Sequence, residues 1–175
     1  MPPTVERALS EIRRPLITDL ELRNADIEIP DERDIAVTVR SSMAHGDLHG
    51  LNVLVTPEGE PTLIDYGEVR RANAALDPVT LELSAVFHPA MEGQLGRWPT
   101  EAECRNWADL DAYCQDSPIA DFVRMCRAWA QAVMARESEL TATVYAYALR
   151  QAKYSNRSLP LAMAIAEGAY EALRV

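Results

Sequence analysis

Two short polar segments, joined by one predicted β-hairpin, constrain the fold of this chain more than any other feature. The first segment is His45-Gly46-Asp47-Leu48-His49-Gly50-Leu51-Asn52, and it runs into the β-branched stretch Val53-Leu54-Val55. The second segment is Asp65-Tyr66-Gly67, which ends a short apolar stretch. The connection Pro57-Glu58-Gly59-Glu60 contains the Pro and Gly residues typical of a tight turn, so strands are predicted over 52–56 and 61–65. This hairpin would place Asn52 and Asp65 on the same side of the domain.

The residue types in these two segments suit phosphoryl transfer. That chemistry needs a carboxylate beside the attacking hydroxyl, and oxygen ligands that hold Mg²⁺ against the phosphates of a nucleotide. Asp47 is the candidate base, and Asn52 and Asp65 are the candidate Mg²⁺ ligands. Two protein ligands suffice, because Mg²⁺ completes its shell with phosphate oxygens and water. Taken alone, each segment also fits an ordinary surface turn or strand end, so the prediction depends on finding both in order.

The two segments resemble the catalytic loop and the metal-binding turn of the aminoglycoside phosphotransferase and choline kinase branch of the protein-kinase-like superfamily. Protein kinases proper carry His-Arg-Asp-x-x-x-x-Asn and Asp-Phe-Gly at the matching places. The same residues suggest kinship with the kinase-like ternary complex associated domains of bacterial conflict-type proteins. The resemblance extends from Met43 to Glu68 and, more faintly, from Leu76 to Leu83.

This resemblance implies an ATP- and Mg²⁺-dependent phosphotransferase that moves the γ-phosphate of ATP to the hydroxyl of a small molecule. Asp47 would accept or orient the proton of that hydroxyl. His45 belongs to the same catalytic motif, but we expect it to brace the loop through hydrogen bonds, and we expect His49 to support the loop as well. Tyr66 replaces the Phe or Trp usual between the metal-binding Asp and Gly. Glu82 stands where the family has an Asp slightly nearer, which leaves open whether Glu82 braces the catalytic loop.

The sequence after the hairpin is helical in character. Asp77-Pro78 predicts a helix start with Asp77 as the cap, and Thr100-Glu101-Ala102-Glu103 predicts a capping box that opens a helix towards Tyr113. Three further helices are predicted from Ser117-Pro118 to Trp129, from Ser138 towards Tyr154, and from Leu159 to Leu173. We therefore expect an α+β, mainly helical fold in residues 1–175 as a single domain. A small hairpin followed by about five helices is the architecture of a kinase-like carboxy-terminal lobe.

The segment before His45 lacks the features of a nucleotide-binding lobe. A helix is predicted over 4–14 with an interruption at Pro15, followed by a helical turn through Leu22 and a loop or edge segment over 24–33. Residues 35–39 fit a strand or the end of a buried helix, and their β-branched residues favour the strand. The segment has no Gly and no Lys, whereas kinase-like proteins cover the phosphates with a Gly-rich loop and a Lys. Arg40 is a candidate replacement for that Lys, although a structural charge is the better interpretation. We expect the isolated chain to bind MgATP poorly and to be inactive unless a partner domain supplies this lobe.

Composition excludes several other classes of function. The net charge of −10 over 175 residues argues against a general nucleic-acid binder and suits a cationic acceptor. The sequence has no apolar run near the ~20 residues of a membrane span and no secretory signal. Its three cysteines show no Cys-x-x-Cys spacing, which predicts free thiols in a reducing cytoplasm.

A second hypothesis is that the chain is a catalytically inactive binding or docking module in a larger multidomain bacterial protein. In that case the motif residues would serve as a polar brace rather than as a catalytic site, since a fold does not by itself imply an activity.

Overall fold

A computed structural model describes residues 3–154 and 158–174 of the chain, and its architecture is α+β, as predicted. The described strands are β1 (Thr4–Ala8), β2 (Ala36–Ala44), β3 (Val53–Val55), β4 (Pro61–Leu63) and β5 (Arg70–Asn73). The described α-helices are α1 (Leu9–Arg13), α2 (Asp19–Asn24), α3 (Leu76–Phe87), α4 (Glu101–Arg105), α5 (Leu110–Cys114), α6 (Ala120–Val133), α7 (Glu137–Arg150) and α8 (Leu159–Leu173).

The strands form two small antiparallel sheets that flank the polar segment from His45 to Asn52. β2 is the middle strand of the first sheet, with Thr4 of β1 opposite Arg40 and Asn73 of β5 opposite Ser41. β3 and β4 form the predicted hairpin, in which Val53 lies opposite Leu63. Because β2 ends at Ala44, the sheet delivers the chain directly into the polar segment that starts at His45.

The long helices pack around α7, which is the most deeply buried element. Every residue from Glu139 to Leu149 is buried, so α7 is enclosed on all sides, and only its two ends reach the surface. α8 packs along α7 on one side, and α1, α3 and β2 contact its other sides. The backbones of α8 and α4 also lie very close together at Gly168, where a Cβ atom would be 2.0 Å from the carbonyl oxygen of Arg105. This core fixes the end of α7 against the end of α3.

A buried ion pair links α3 to α6. The Arg127 guanidinium donates to Glu82 at 2.6 Å and lies over the Trp107 ring, whose Nε1 also donates to Glu82. A buried pair of this kind costs desolvation energy, and its hydrogen bonds compensate for that cost. Glu82 is therefore a core residue, and its carboxylate partners are Arg127 and Trp107 instead of the loop from His45 to Asn52.

Several local predictions are confirmed. The hairpin has the predicted connection over 57–60, α8 has the predicted bounds, and the Thr100 capping box is present. Thr100 Oγ1 accepts from the Glu103 backbone at 3.3 Å, and the Glu103 carboxylate accepts from the Thr100 backbone at 2.7 Å. The strand predicted over 35–39 is β2, which continues to Ala44.

Other local predictions are wrong. The helix predicted over 4–14 is β1 followed by the short α1, and β5 was not predicted at all. The predicted helix from Thr100 towards Tyr113 is divided into α4 and α5, since Asp109 caps a new helix through its side chain. Six α-helices therefore follow the hairpin in the described residues, where about five were predicted. Ser138 lies inside α7 instead of capping it.

No helix within residues 3–154 and 158–174 has both the length and the apolar character needed to cross a lipid bilayer.

Candidate active site

The second residue of the loop from His45 to Asn52 is a glycine, and the backbone conformation at this position requires it. Gly46 has φ +84°, a conformation that L side chains rarely adopt. A Cβ at this position would lie only 2.4 Å from the carbonyl oxygen of Glu68. The backbone of the loop therefore packs directly against the turn over 66–68, and this contact joins the two motif segments.

The Asp77 carboxylate fastens the start of the loop to α3. It accepts hydrogen bonds from the backbone N–H groups of His45 at 2.7 Å and Gly46 at 3.0 Å. The prediction that Asp77 caps its own helix is wrong, because α3 begins one residue earlier at Leu76 and the Asp77 side chain turns to the loop. Two charge-assisted bonds from one carboxylate fix the backbone immediately before Asp47.

His45 braces the loop against the end of the hairpin, as predicted. Its ring is buried, and Nε2 lies 2.9 Å from the carbonyl oxygen of Ile64. A carbonyl only accepts, so Nε2 carries the proton in this contact. The same ring lies 5.4 Å from that of Tyr66, centroid to centroid. His45 therefore links the first segment to the second, with its ring engaged in packing.

The structure brings Asn52 and Asp65 to the same end of the hairpin. The side-chain amide nitrogen of Asn52 donates to the backbone carbonyl of Asp47 at 2.9 Å. The backbone carbonyl of Asn52 accepts from the backbone N–H of Ile64 at 3.0 Å. Asp65 follows directly, in the left-handed conformation with φ 62° and with an exposed side chain. Since the Asn52 side chain donates through nitrogen, its amide oxygen is the group left to face a cation.

The donor set of Asn52 and Asp65 fits Mg²⁺ in the presence of a nucleotide. One amide oxygen and one exposed carboxylate are hard oxygen ligands, and the phosphates would supply the rest. No cluster of three or more His, Cys, Asp or Glu residues suited to a metal occurs in the described residues.

Asp47 lies beside a cleft of about 400 Å³. Its side chain is 36% exposed, with one oxygen 3.7 Å from His49 Nε2 and the other 3.8 Å from Arg150 Nη2. Both distances exceed that of a hydrogen bond, so the carboxylate oxygens keep the capacity to accept a proton from a bound molecule.

The walls of this cleft come from three parts of the chain. The end of α3 and the residues after it contribute Ser84, Phe87, His88 and Pro89, and the end of α7 and the residues after it contribute Tyr147, Arg150, Gln151 and Tyr154. The loop from His45 to Asn52 contributes Asp47 and His49. Burial raises the pKa of the Tyr147 hydroxyl to about 12, so Tyr147 adds no charge to the cleft at physiological pH.

Arg150 is the cleft residue that the sequence did not reveal. It is the last residue of α7, more than a hundred positions after Asp47, and no local pattern marks it.

Arg40, in contrast, is a structural residue: its guanidinium donates to the carbonyl of Val133 at 2.8 Å, at the end of α6. Glu68 is exposed and forms an ion pair with Arg70 at 3.4 Å.

Comparisons of this chain with protein-family models, with curated proteins and with solved structures each found no match. The case for a function therefore depends on the motif residues and on the geometry described above.

Proposed function

We propose that this chain is the catalytic lobe of an ATP- and Mg²⁺-dependent phosphotransferase with a kinase-like fold. Its acceptor is the hydroxyl of a small molecule held in the cleft beside Asp47. Asn52 and Asp65 hold Mg²⁺, and a partner domain supplies the nucleotide lobe. The cytoplasm is the compartment we propose, because Cys104, Cys114 and Cys126 are free thiols, as is usual in a reducing environment.

In the proposed reaction, the acceptor hydroxyl oxygen attacks the γ-phosphorus of ATP and forms the new P–O bond. The bond between the γ-phosphorus and the β–γ bridging oxygen breaks, and ADP leaves with that electron pair. The hydroxyl proton passes to the Asp47 carboxylate and then to solvent. Asp47 orients the attacking oxygen, and a Mg²⁺ ion held by Asn52 and Asp65 would neutralise phosphate charge. His45 and Asp77 position the loop and do not touch the reacting atoms.

One observation carries this proposal: both motif segments are hydrogen-bonded into a single unit. Asn52 donates to the carbonyl of Asp47 and accepts from Ile64, and His45 contacts the Ile64 carbonyl. These bonds link the backbone of Asp47 and the side chain of Asn52 to Ile64, the residue before Asp65, at the hairpin end. Such preorganisation is what phosphoryl transfer needs, because positioning and electrostatics supply most of its catalysis.

The test compares Asp47→Asn with Asp65→Asn in the longest native protein that contains this chain. Asp47→Asn should abolish phosphoryl transfer and largely spare Mg-nucleotide binding, since Asp47 acts on the acceptor. Asp65→Asn should weaken both, because it removes a charged metal ligand. The exposed Asp116 gives a matched control, and Asp116→Asn should change neither quantity. ATP turnover that survives in Asp47→Asn would refute the proposal.

The second candidate is a non-catalytic docking module, and one observation favours it. Several large apolar side chains on and around the hairpin are exposed: Met43, Leu51, Leu54, Val55, Leu63 and Tyr66. Exposed apolar surface of this extent is typical of a face that binds another protein or domain. A native protein without nucleotide turnover, with partner binding unchanged in Asp47→Asn, would support the module over the enzyme.

A further inference from the structure

The charges around the cleft beside Asp47 differ from those of the chain as a whole. The chain carries a net charge of −10, yet Asp47 is the only carboxylate among the described residues that line this cleft, and Arg150 is its cation. In the proposed reaction Asp47 is occupied with the acceptor hydroxyl. A cationic acceptor, as the overall charge suggested, would need a second carboxylate that this lining does not contain.

Arg150 is held in place but keeps its hydrogen-bonding capacity. Its side chain is 21% exposed, and its guanidinium carbon lies 5.6 Å from the Tyr147 ring centroid and 5.9 Å from that of Tyr154. Both contacts fall within the range of cation–π attraction, so two aromatic rings steady the side chain. In the described residues, its guanidinium has no hydrogen-bond acceptor, and its ion pair with Asp47 spans 3.8 Å. The planar guanidinium group, with its five N–H donors, is therefore available to a molecule bound in the cleft.

Two histidines belong to the same lining, and His88 adds a further hydrogen-bond donor to it. His49 and His88 lie with ring centroids 4.8 Å apart. His88 Nδ1 accepts from the backbone of Ala90 at 3.2 Å, so its remaining nitrogen, Nε2, carries the proton. His49 Nδ1 is buried and lacks a hydrogen-bond partner. The lining thus combines one guanidinium with imidazole groups, which is a set that suits an anion.

We infer that the acceptor carries an anionic group, a carboxylate or a phosphate ester, close to the hydroxyl that receives the phosphoryl group. Arg150 binds this anion while Asp47 holds the hydroxyl. The two side chains are 3.8 Å apart at their nearest atoms, so the anionic oxygen and the hydroxyl oxygen of the acceptor lie roughly 3–6 Å from each other. This inference rests on the proposed phosphotransferase function, and it replaces the cationic acceptor expected from overall charge with an anionic one.

The test is an NMR titration of the full chain without ATP, using four small probes. The probes are 3-hydroxypropionate and glycerol 3-phosphate as anions, 1,3-propanediol as the neutral analogue, and 3-amino-1-propanol as the cation. Both anions should bind, and the other two probes should bind at least about tenfold more weakly. The tighter of the two anions identifies the carboxylate or the phosphate as the natural group. Tighter binding of the cation, or no anion binding at roughly 50 mM, would overturn the inference.

Substitutions at Arg150 make the test specific. Arg150→Gln should weaken anion binding about tenfold or more, and Arg150→Lys should restore part of it, because Lys keeps the charge but not the planar guanidinium group. Arg124→Gln, which changes an exposed arginine paired with Asp111, is the matched control and should bind like the parent chain. Anion affinity that is equal in Arg150→Gln and the parent would refute the assignment. Thermal melting of each variant confirms that it is folded, and Arg150→Lys alone decides if Arg150→Gln does not fold.

The two proposals can fail separately. Because ATP is absent from the titration, anion binding does not depend on catalysis. Binding of the anions without phosphoryl transfer in the native protein would support the anion site and refute the phosphotransferase. Transfer to 3-amino-1-propanol, without binding of either anion, would refute the anion site and support the phosphotransferase.

Discussion

Replacement of Asp77 by Ala should destabilise the protein strongly, although Asp77 lies in the first turn of a helix where side chains are usually dispensable. Its carboxylate accepts from two backbone N–H groups, those of His45 at 2.7 Å and Gly46 at 3.0 Å. A hydrogen bond to a charged group contributes about 1.5–3 kcal/mol. Asp77 is partly exposed, so we take the lower end and expect Asp77→Ala to cost about 3 kcal/mol. Asp77→Asn keeps one acceptor oxygen and should cost about half as much.

Asp109 provides the matched control for this prediction. Its carboxylate also accepts from two backbone N–H groups, those of Asp111 and Ala112, both at 3.1 Å. These bonds are local and exposed, so Asp109→Ala should cost only about 1 kcal/mol, as for other helix caps. Urea denaturation followed by circular dichroism measures both free energies of unfolding. If Asp77→Ala is no more destabilising than Asp109→Ala, the carboxylate does not fasten the loop to α3, and the reasoning fails.

Two further changes test the packing of the helices. Gly168→Ala should destabilise the protein by about 2 kcal/mol, because the alanine Cβ would lie 2.0 Å from the Arg105 carbonyl oxygen. This cost outweighs the preference for Ala over Gly in a helix interior, which is about 1 kcal/mol. A higher melting temperature in this variant would contradict the close approach of α4 and α8. Burial raises the pKa of the Cys104 thiol from 9.0 to about 12, so Cys104 should resist iodoacetamide at pH 8 in the folded protein and react in urea. The thiol of the unfolded chain loses its proton at a lower pH than the buried thiol does, so the free energy of unfolding should fall as pH rises from about 9 towards 12. A midpoint of urea denaturation that is higher at pH 10.5 than at pH 8 would contradict this.

The hairpin and the longest helices could be predicted because their signals are local. Pro57 and Gly59 mark the hairpin turn, and Leu159–Leu173 has the bounds of α8 because its apolar character ends where the helix ends. The capping box at Thr100 is equally local, since both partners lie within four residues. In these cases the residues that decide the structure are neighbours in sequence.

The missed strands depend on partners that are distant in sequence. Val5, Leu9 and Ile12 have helical spacing, but this spacing crosses the boundary between β1 and α1. Pairing with β2 decides the outcome, because Val5 lies opposite Val39. β5 has the polar sequence Arg70-Arg71-Ala72-Asn73, which has little strand propensity, and it is a strand because it pairs with the second half of β2.

The site was predicted only in part for the same reason. The motif residues His45, Asp47, Asn52 and Asp65 could be named from the sequence because they lie within two short segments. The roles of Asp77 and Arg150 depend on tertiary contacts across 30 to about 100 residues, so the local sequence predicts a helix cap at Asp77 and no role for Arg150. Overall charge likewise suggested a cationic acceptor, although the lining of one cleft can differ in charge from the whole surface.

The position of α3 has a consequence for attempts to redesign this protein. Its first turn carries Asp77, which fastens the loop, and its last turn carries Ser84 and Phe87, which line the cleft. A change in the core of this helix would therefore shift the loop and one cleft wall together. The opposite wall, with Arg150 and Tyr154, belongs to the end of α7 and the residues after it, which have no contact of this kind with the loop backbone in the described structure. Substitutions intended to reshape this cleft should therefore be made on that wall, with α3 kept constant.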